Sequence, residues 1–251
     1  MIDIGLIQIG MAVLLMVLAI ILSRWQRLGT EKELAIGTVL SFAQLVAVGY
    51  ALEFIFGLES IAAILATVVV MMLVGAVTAG RRAAHIPRAV LLSFVSILAG
   101  SLVTLGLMLA VGIIDFRAQY VIPLAGMTIG NSMNCSALVM ERLHSDVTGN
   151  RPAIETALAL GGTWREAVHL YFTRAVKAGM MQMLNFLKVV GIVQLPGAMT
   201  GMILAGASPL KAVLIQVLVG YMLTAAVTVT GIVAAQLAVR KMFSPADQLL
   251  I

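Results

Sequence analysis

The residues most able to do chemistry lie in one apolar stretch, residues 122 to 140, which reads IPLAGMTIGNSMNCSALVM. Amide, hydroxyl and thiol groups crowd its centre. Amide and hydroxyl groups could line a path for a solute, whereas a thiol and a thioether could ligate a soft metal ion. The candidates for a path are Asn131, Ser132 and Asn134, and those for a metal ligand are Cys135 and Met133.

Helix packing is the interpretation we favour for most of these residues. Polar side chains form hydrogen bonds between membrane helices, and methionine fills gaps. Cys135 is the single cysteine, and no H-x-x-H or H-E-x-x-H pair occurs, so a tight metal site is not expected. His85, His144 and His169 are far apart in the sequence and are predicted to be surface residues. Ser132 has no His or Asp nearby in the sequence, which argues against an intramembrane enzyme.

The composition places this stretch in a membrane. The chain is 61% hydrophobic and 11% charged, far from the roughly 25% charged residues of a soluble domain. A bilayer core about 30 Å thick needs about 20 apolar residues per helix, and continuous apolar runs exclude the alternation of barrel strands. We therefore predict an all-α polytopic membrane protein with about seven transmembrane helices. The predicted spans are 4–22, 34–56, 61–79, 90–112, 120–140, 179–206 and 211–239.

Positive charges indicate the orientation. Most Lys and Arg fall in alternate loops, and the loops on the opposite side contain only Arg117 and Lys211. By the positive-inside rule, the N-terminus is outside and the C-terminus is cytoplasmic. Orientation thus explains the net charge of +5, and nucleic-acid binding is not expected.

A predicted cytoplasmic segment, about residues 141–178, contains the most specific local pattern. Asn150 is a suitable N-cap with a proline in the first turn, and the helix would end at Gly161-Gly162. Thr163 and Glu166 then form the capping box of a second helix. The pattern predicts a helical elbow exposed to the cytoplasm. A plain connector between two spans is the alternative.

This elbow carries a family resemblance. Residues 155–161, ETALALG, resemble the E-A-A-x-x-x-G element of ABC import permeases, although the residues downstream differ from theirs. Residues 122–134, 155–161 and 191–201 together resemble the FetB family of ABC transporter permeases, to which plant aluminium-tolerance transporters are similar. The resemblance implies that the elbow couples this chain to an ATPase. The coupling residues would be Glu155, Ala157, Gly161, Gly162, Thr163, Arg165 and Glu166.

The same resemblance implies the function and the partners. It implies a homodimeric permease in the bacterial inner membrane that exports metal ions such as iron by alternating access. No G-x-x-x-x-G-K-[ST] loop occurs, so a separate ATP-binding subunit would use ATP and Mg²⁺, and this chain would be no enzyme and would bind no cofactor. The alternatives are an ion-coupled carrier or channel without an ATPase, and ABC export of a non-metal solute such as a nucleotide sugar.

We predict one transmembrane domain, 1–251. Residue type and position indicate further candidates in it for helix packing and for the translocation path. Two G-x-x-x-G rows predict close helix packing, either between spans five and six or across a dimer axis. Polar residues at membrane depth are expected to face protein or a wet cavity. The packing candidates are Gly126, Gly130, Gly197 and Gly201, and the further path candidates are Gln44, Glu53, Lys188 and Gln194.

Overall fold

The computed structural model describes residues 6–58, 60–244 and 248–250, and the predicted all-helical fold is confirmed over these residues. The helices are α1 (Leu6–Trp25), α2 (Glu31–Leu58), α3 (Ile61–Arg82), α4 (Ala89–Ala110), α5 (Ala118–Gly149), α6 (Arg151–Ala159), α7 (Trp164–Val189), α8 (Gly197–Leu204) and α9 (Pro209–Met242). Within the described residues, four segments are long and apolar enough to cross a membrane, namely Glu31–Gly57, Ile61–Arg82, Ala89–Ala110 and Pro209–Met242, and Gly10–Trp25 is a shorter apolar helix. The protein is a multi-pass membrane protein. The count of seven spans and the orientation of the termini stay predictions.

The chain divides into two compact units, and the first contains α1 and α2. A short turn joins these two helices. The Ser23 hydroxyl lies 2.9 Å from that of Thr30 and donates to the Glu31 carboxylate at 3.2 Å. Since Ser23 is buried, these bonds satisfy a polar group that would otherwise be costly in an apolar environment.

Polar residues recur at helical spacing in the fifth predicted span, as Thr128, Ser132 and Ser136 do, and such polar rows predict a helix surrounded by protein. Helix α5 is the centre of the second unit, residues 61–251, as this pattern predicts. It packs against α3, α4, α7 and α9. Hydroxyl pairs join it to two neighbours: Ser136 lies 3.1 Å from Ser96 of α4, and Ser132 accepts a hydrogen bond of 3.0 Å from Thr230 of α9. Buried polar rows therefore serve interhelical bonding, which explains why a helix this polar can lie inside an apolar bundle.

Glycines permit the closest helix contacts. A Cβ atom on Gly100 of α4 would lie 2.7 Å from the Ala226 carbonyl oxygen of α9. A Cβ on Gly80 of α3 would lie 2.5 Å from the Val90 backbone. Only a residue without a side chain allows backbones to approach this closely.

The predicted span 179–206 is not one continuous helix, and the helix break that Pro196-Gly197 indicates is present. Helix α7 ends at Val189, residues 190–196 form a turn with a bridge between Val190 and Gln194, and α8 begins at Gly197. Gly191 has a φ of +82° in this turn, and Pro196, immediately before α8, has no N–H to continue a helix. The turn therefore separates α7 from α8.

The limits of the neighbouring helices also differ from the prediction. Helix α5 continues past residue 140 to Gly149, and α7 begins at Trp164. Residues 164–178, predicted as part of a cytoplasmic segment, thus belong to the same helix as residues 179–189.

Candidate functional site

The predicted elbow consists of α6, a glycine turn and the start of α7. Asn150 occupies the predicted N-cap position but makes no capping bond to α6. Its side-chain amide instead donates to the Asp146 carbonyl at 2.7 Å, so it closes the end of α5. The predicted capping role of Asn150 is therefore wrong, because the preceding helix continues up to it and offers free carbonyl groups.

The glycine pair makes the predicted turn. Gly161 has a φ of +88°, a left-handed conformation that glycine adopts without strain. A Cβ on Gly162 would lie 2.9 Å from the Ala157 carbonyl oxygen. Leu160 at the turn is 84% exposed, whereas Ile154 is buried and anchors α6 to the bundle. The elbow thus presents an apolar tip on a fixed base.

The predicted capping box is confirmed at the start of α7. The Thr163 N–H donates to a Glu166 carboxylate oxygen at 2.9 Å, and the Glu166 N–H donates to the Thr163 hydroxyl oxygen at 3.4 Å. The first bond is the main cause that lowers the pKa of Glu166 from its usual value, followed by the bond from the Thr163 hydroxyl. The box fixes the angle at which α7 leaves the glycine turn.

The other coupling candidates have different surroundings. Glu155 is exposed and accepts a hydrogen bond of 2.7 Å from Arg151 one turn earlier in α6. Ala157 is half-buried beneath the turn. The Arg165 guanidinium lies 5.2 Å from the centroid of the Trp164 ring. Their coupling role stays a prediction.

Two of the path candidates share a cleft between α5 and α7. The cleft has a volume of about 120 Å³, and Asn131, Asn134 and Gln182 contribute its amide groups. The Asn131 side chain donates to the Met127 carbonyl at 2.8 Å, while Asn134 is exposed. The remaining lining residues are Cys135, Leu138, Ala178, Gly179, Met181, Met183 and Val227. The path role of Asn131 and Asn134 stays a prediction.

Ser132 and Met133 lie outside this cleft, and Cys135 reaches it as a buried residue. Ser132 is buried against Thr230, and the Cys135 thiol donates to the Val227 carbonyl of α9 at 3.5 Å. Met133 is half-buried near Gly75. No group of three or more His, Cys, Asp or Glu that could hold a metal occurs among the described residues. The metal-ligand assignment stays a prediction.

Two other path candidates in the second unit, Lys188 and Gln194, are not among the described residues that line the cleft. Lys188 is exposed in the last turn of α7, and Gln194 is exposed in the turn that follows. Gln44 and Glu53 are exposed on α2 in the first unit. The predicted orientation places the carboxylates of Asp3 and Glu59 on the outer side with that of Glu53, where they could help an exported cation to leave. Asp3 and Glu59 lie outside the described residues.

The glycines of the G-x-x-x-G rows are mostly open within the chain. A Cβ on Gly126 would lie 3.3 Å from the Met71 side chain, whereas one on Gly130, Gly197 or Gly201 would meet no described residue within 4 Å. Helices α5 and α8 make no contact over the described residues. Packing of these glycines across a dimer axis stays a prediction.

The sequence pattern did not indicate the glycine that joins α5 to α7. A Cβ on Gly179 of α7 would overlap the Val139 side chain of α5 and lie 3.0 Å from the Cys135 sulfur. Gly179 is an isolated glycine without a repeat, so no motif marked it. It holds α7 directly against the central helix beside the cleft.

The sequence pattern also did not indicate a histidine pair. His85 and His169 are exposed, as predicted, whereas His144 is half-buried. The rings of His85, between α3 and α4, and His144 of α5 are stacked with centroids 5.4 Å apart. Burial lowers the pKa of His144, and the nearby His85 lowers it further. Fifty-nine positions separate these residues in the chain, so only the packing of α3, α4 and α5 brings them together.

Comparison with known proteins identifies the family. The model of an uncharacterised protein family, UPF0014, matches residues 6–243. The chain belongs to the UPF0014 family. The resemblance to the FetB family predicted from the sequence is also confirmed, because a protein named FetB is among the relatives that match nearly the whole chain.

Relatives of this UPF0014 member occur in plants and bacteria. The UPF0014 membrane protein STAR2 of Oryza sativa is 40% identical over 98% of this chain and 86% of its own length. Protein ALUMINUM SENSITIVE 3 of Arabidopsis thaliana is 39% identical over 98% of this chain and 90% of its own. The probable iron export permease protein FetB of Escherichia coli is 32% identical over 97% of this chain and 94% of its own. No solved structure matches.

Proposed function

We propose that this chain is the membrane-spanning subunit of an ATP-driven ABC exporter, that it works as a homodimer with a separate ATP-binding subunit, and that its cargo is a metal ion such as iron. The relative named as a probable iron export permease supports the cargo and the direction. The elbow, which consists of α6, the glycine turn and the start of α7, is the proposed docking point for the ATP-binding subunit.

One observation carries this proposal: the elbow and the cleft are joined by a single helix. Helix α7 starts at the capping box and runs without a break to Val189. Gly179, which lines the cleft, lies on it about 22 Å from Trp164 at 1.5 Å per residue. Because a helix transmits displacement along its axis, a push on the elbow would shift the cleft wall that carries Gln182 relative to Asn131 and Asn134.

The cleft provides suitable chemistry for transient contact with a cation. Amide oxygens of Asn131, Asn134 and Gln182 are neutral ligands, and the Met181 and Met183 thioethers are soft ones. Neutral and soft groups bind a metal ion weakly enough to release it, which a path requires and a storage site does not.

The decisive experiment concerns docking at the exposed tip of the elbow. Leu160→Asp places a charge where an apolar side chain is 84% exposed, so the fold should tolerate it while a docked apolar interface should not. In this variant, the amount of ATP-binding subunit that co-purifies with the chain should fall by at least about tenfold, which is the effect of an ordinary interface hot spot. Stimulation of the ATPase activity should fall by the same factor.

Leu250→Asp is the matched control, because Leu250 is 63% exposed near the C-terminus and outside the elbow. It should leave the complex intact. If both variants retain the complex and transport, the elbow is not the docking point. If the chain transports metal without any ATP-binding subunit, the ion-coupled alternative replaces the proposal.

A further inference from the structure

A second surface feature is a groove between the start of α7 and the end of α9. It has a volume of about 370 Å³. Its floor is apolar, with Val168 and Val239 buried and Trp164 and Phe172 half-buried. Its rim is polar and exposed, formed by Arg165, His169, Gln236 and Arg240.

The rim of the groove is positive over the part of the chain that the structure describes. Arg165 and Arg240 are charged, and none of the described residues that line the groove is Asp or Glu. Glu166, the nearest acidic residue in the sequence, has its carboxylate bound to Thr163 in the capping box. The Trp164 ring holds the Arg165 guanidinium at 5.2 Å from its centroid. The groove therefore favours an anionic group attached to an apolar body.

Helix contacts place the groove at one end of the membrane-spanning bundle. Trp164 at the start of α7 contacts Phe243, the residue that directly follows α9, and Phe186 of α7 lies next to Gly220 of α9, so these two helices are antiparallel. Gly100 at the middle of α4 approaches Ala226, and Val239 lies roughly 20 Å further along α9. The apolar core extends about 15 Å from its midplane, so the groove lies at the level of the lipid headgroups.

Neighbouring features of the bundle agree with that level. Arg81 and Arg82 end the apolar helix α3, and Arg88 directly precedes the apolar helix α4. A tryptophan with arginines at such a boundary is typical of the interface between hydrocarbon and water. Basic pockets between membrane helices at this depth suit phospholipid headgroups.

We propose that this groove binds an anionic phospholipid, with its phosphate between Arg165 and Arg240 and the upper part of an acyl chain over Phe172 and Val168. The lipid would join α7 to α9 next to the elbow. This binding does not require an ATP-binding subunit, so it stands or falls separately from the proposed transport function.

The test uses Trp164 as a reporter. The chain has two tryptophans, so a Trp25→Phe background leaves Trp164 alone. The full chain is reconstituted in phosphatidylcholine vesicles with increasing shares of phosphatidylglycerol brominated on its acyl chains, and brominated phosphatidylcholine serves for comparison. Quenching should favour phosphatidylglycerol. Arg165→Gln and Arg240→Gln should each reduce that preference about fivefold.

The matched control is Lys177→Gln or Lys241→Gln, made singly, because each removes one charge, as each arginine variant does, from an exposed position of α7 or α9 that does not line the groove. It should keep the preference. Gln236→Phe, which fills the groove and keeps both arginines, should reduce quenching by either lipid. Equal quenching of the parent by both lipids, as expected if the groove holds an acidic protein segment, would overturn the proposal. An equal loss in the lysine control would overturn it as well.

Discussion

Replacement of Gly100 by alanine tests the close contact between α4 and α9. The added Cβ would lie 2.7 Å from the Ala226 carbonyl oxygen and would also overlap the Thr230 hydroxyl oxygen. An ordinary contact begins at 3.4 Å, so α4 and α9 would have to separate by about 0.7 Å. The carbonyl belongs to the backbone, so rotation of a side chain cannot relieve this overlap.

The cost follows from three contributions. Overpacking costs typically 1–3 kcal/mol, and weakening of the Thr230–Ser132 hydrogen bond costs roughly 1 kcal/mol more. The gain in helix propensity from Gly to Ala offsets about 1 kcal/mol. We therefore expect Gly100→Ala to lower the free energy of unfolding by about 2 kcal/mol.

Equilibrium unfolding in mixed micelles of mild detergent and SDS measures this change. Gly106→Ala on the same helix is the control, because its Cβ would meet none of the residues that the structure describes within 4 Å. This variant should be neutral or up to about 1 kcal/mol more stable. In a Thr230→Ala background, the Gly100→Ala cost should fall only in part, because the Ala226 carbonyl remains. Equal stability of Gly100→Ala and Gly106→Ala would refute the close contact.

Two further predictions concern the ends of the helices. Thr163→Ala should speed hydrogen exchange in the first turn of α7 about fivefold, because the N-cap is lost, whereas Thr163→Ser should not; exchange rates equal to the parent in both variants would contradict the capping box. Because the pKa of His144 is lowered, the folded chain binds a proton at this group less readily than the unfolded chain does. The contribution of His144 to stability is therefore present above the usual histidine pKa and is lost as the pH falls below about 6.5. His144→Gln should therefore reduce the drop in melting temperature between pH 7.5 and 5.5, and His169→Gln, which removes an exposed histidine, should leave it unchanged; the reverse result would rule out the stacked pair as the source.

The features predicted from the sequence are those that depend on composition or on near neighbours. The apolar composition alone excludes a soluble domain. The Thr163–Glu166 box and the Gly161 turn are predictable because their bonds and backbone angles involve residues within one helical turn. The central position of α5 follows from its polar rows, since polar side chains in an apolar bundle must face other helices.

The features that depend on packing were beyond such reasoning. The change from polar to apolar residues near 179 suggested where a membrane span begins, and α7 runs through this position from Trp164 to Val189, because backbone hydrogen bonds form equally on both sides of a membrane surface. The G-x-x-x-G rows suggested which glycines make contacts, but Gly100 and Gly179 make the close ones. A local motif shows that one face of a helix permits close packing. It does not show whether a neighbouring helix packs against that face or against another.

What the sequence by itself determined was the class of protein, the elbow and the family, because these depend on composition and on short continuous segments. Only the tertiary structure decided that Asn131 and Gln182 line one cleft, that His85 stacks on His144, and that Arg165 and Arg240 share one groove. Each of these pairs lies on different helices, or in one case on a helix and a loop, and is brought together by the packing of the whole bundle. The physical reason is that helix rotation and register are set by the sum of all buried contacts, to which no single segment contributes enough to be decisive.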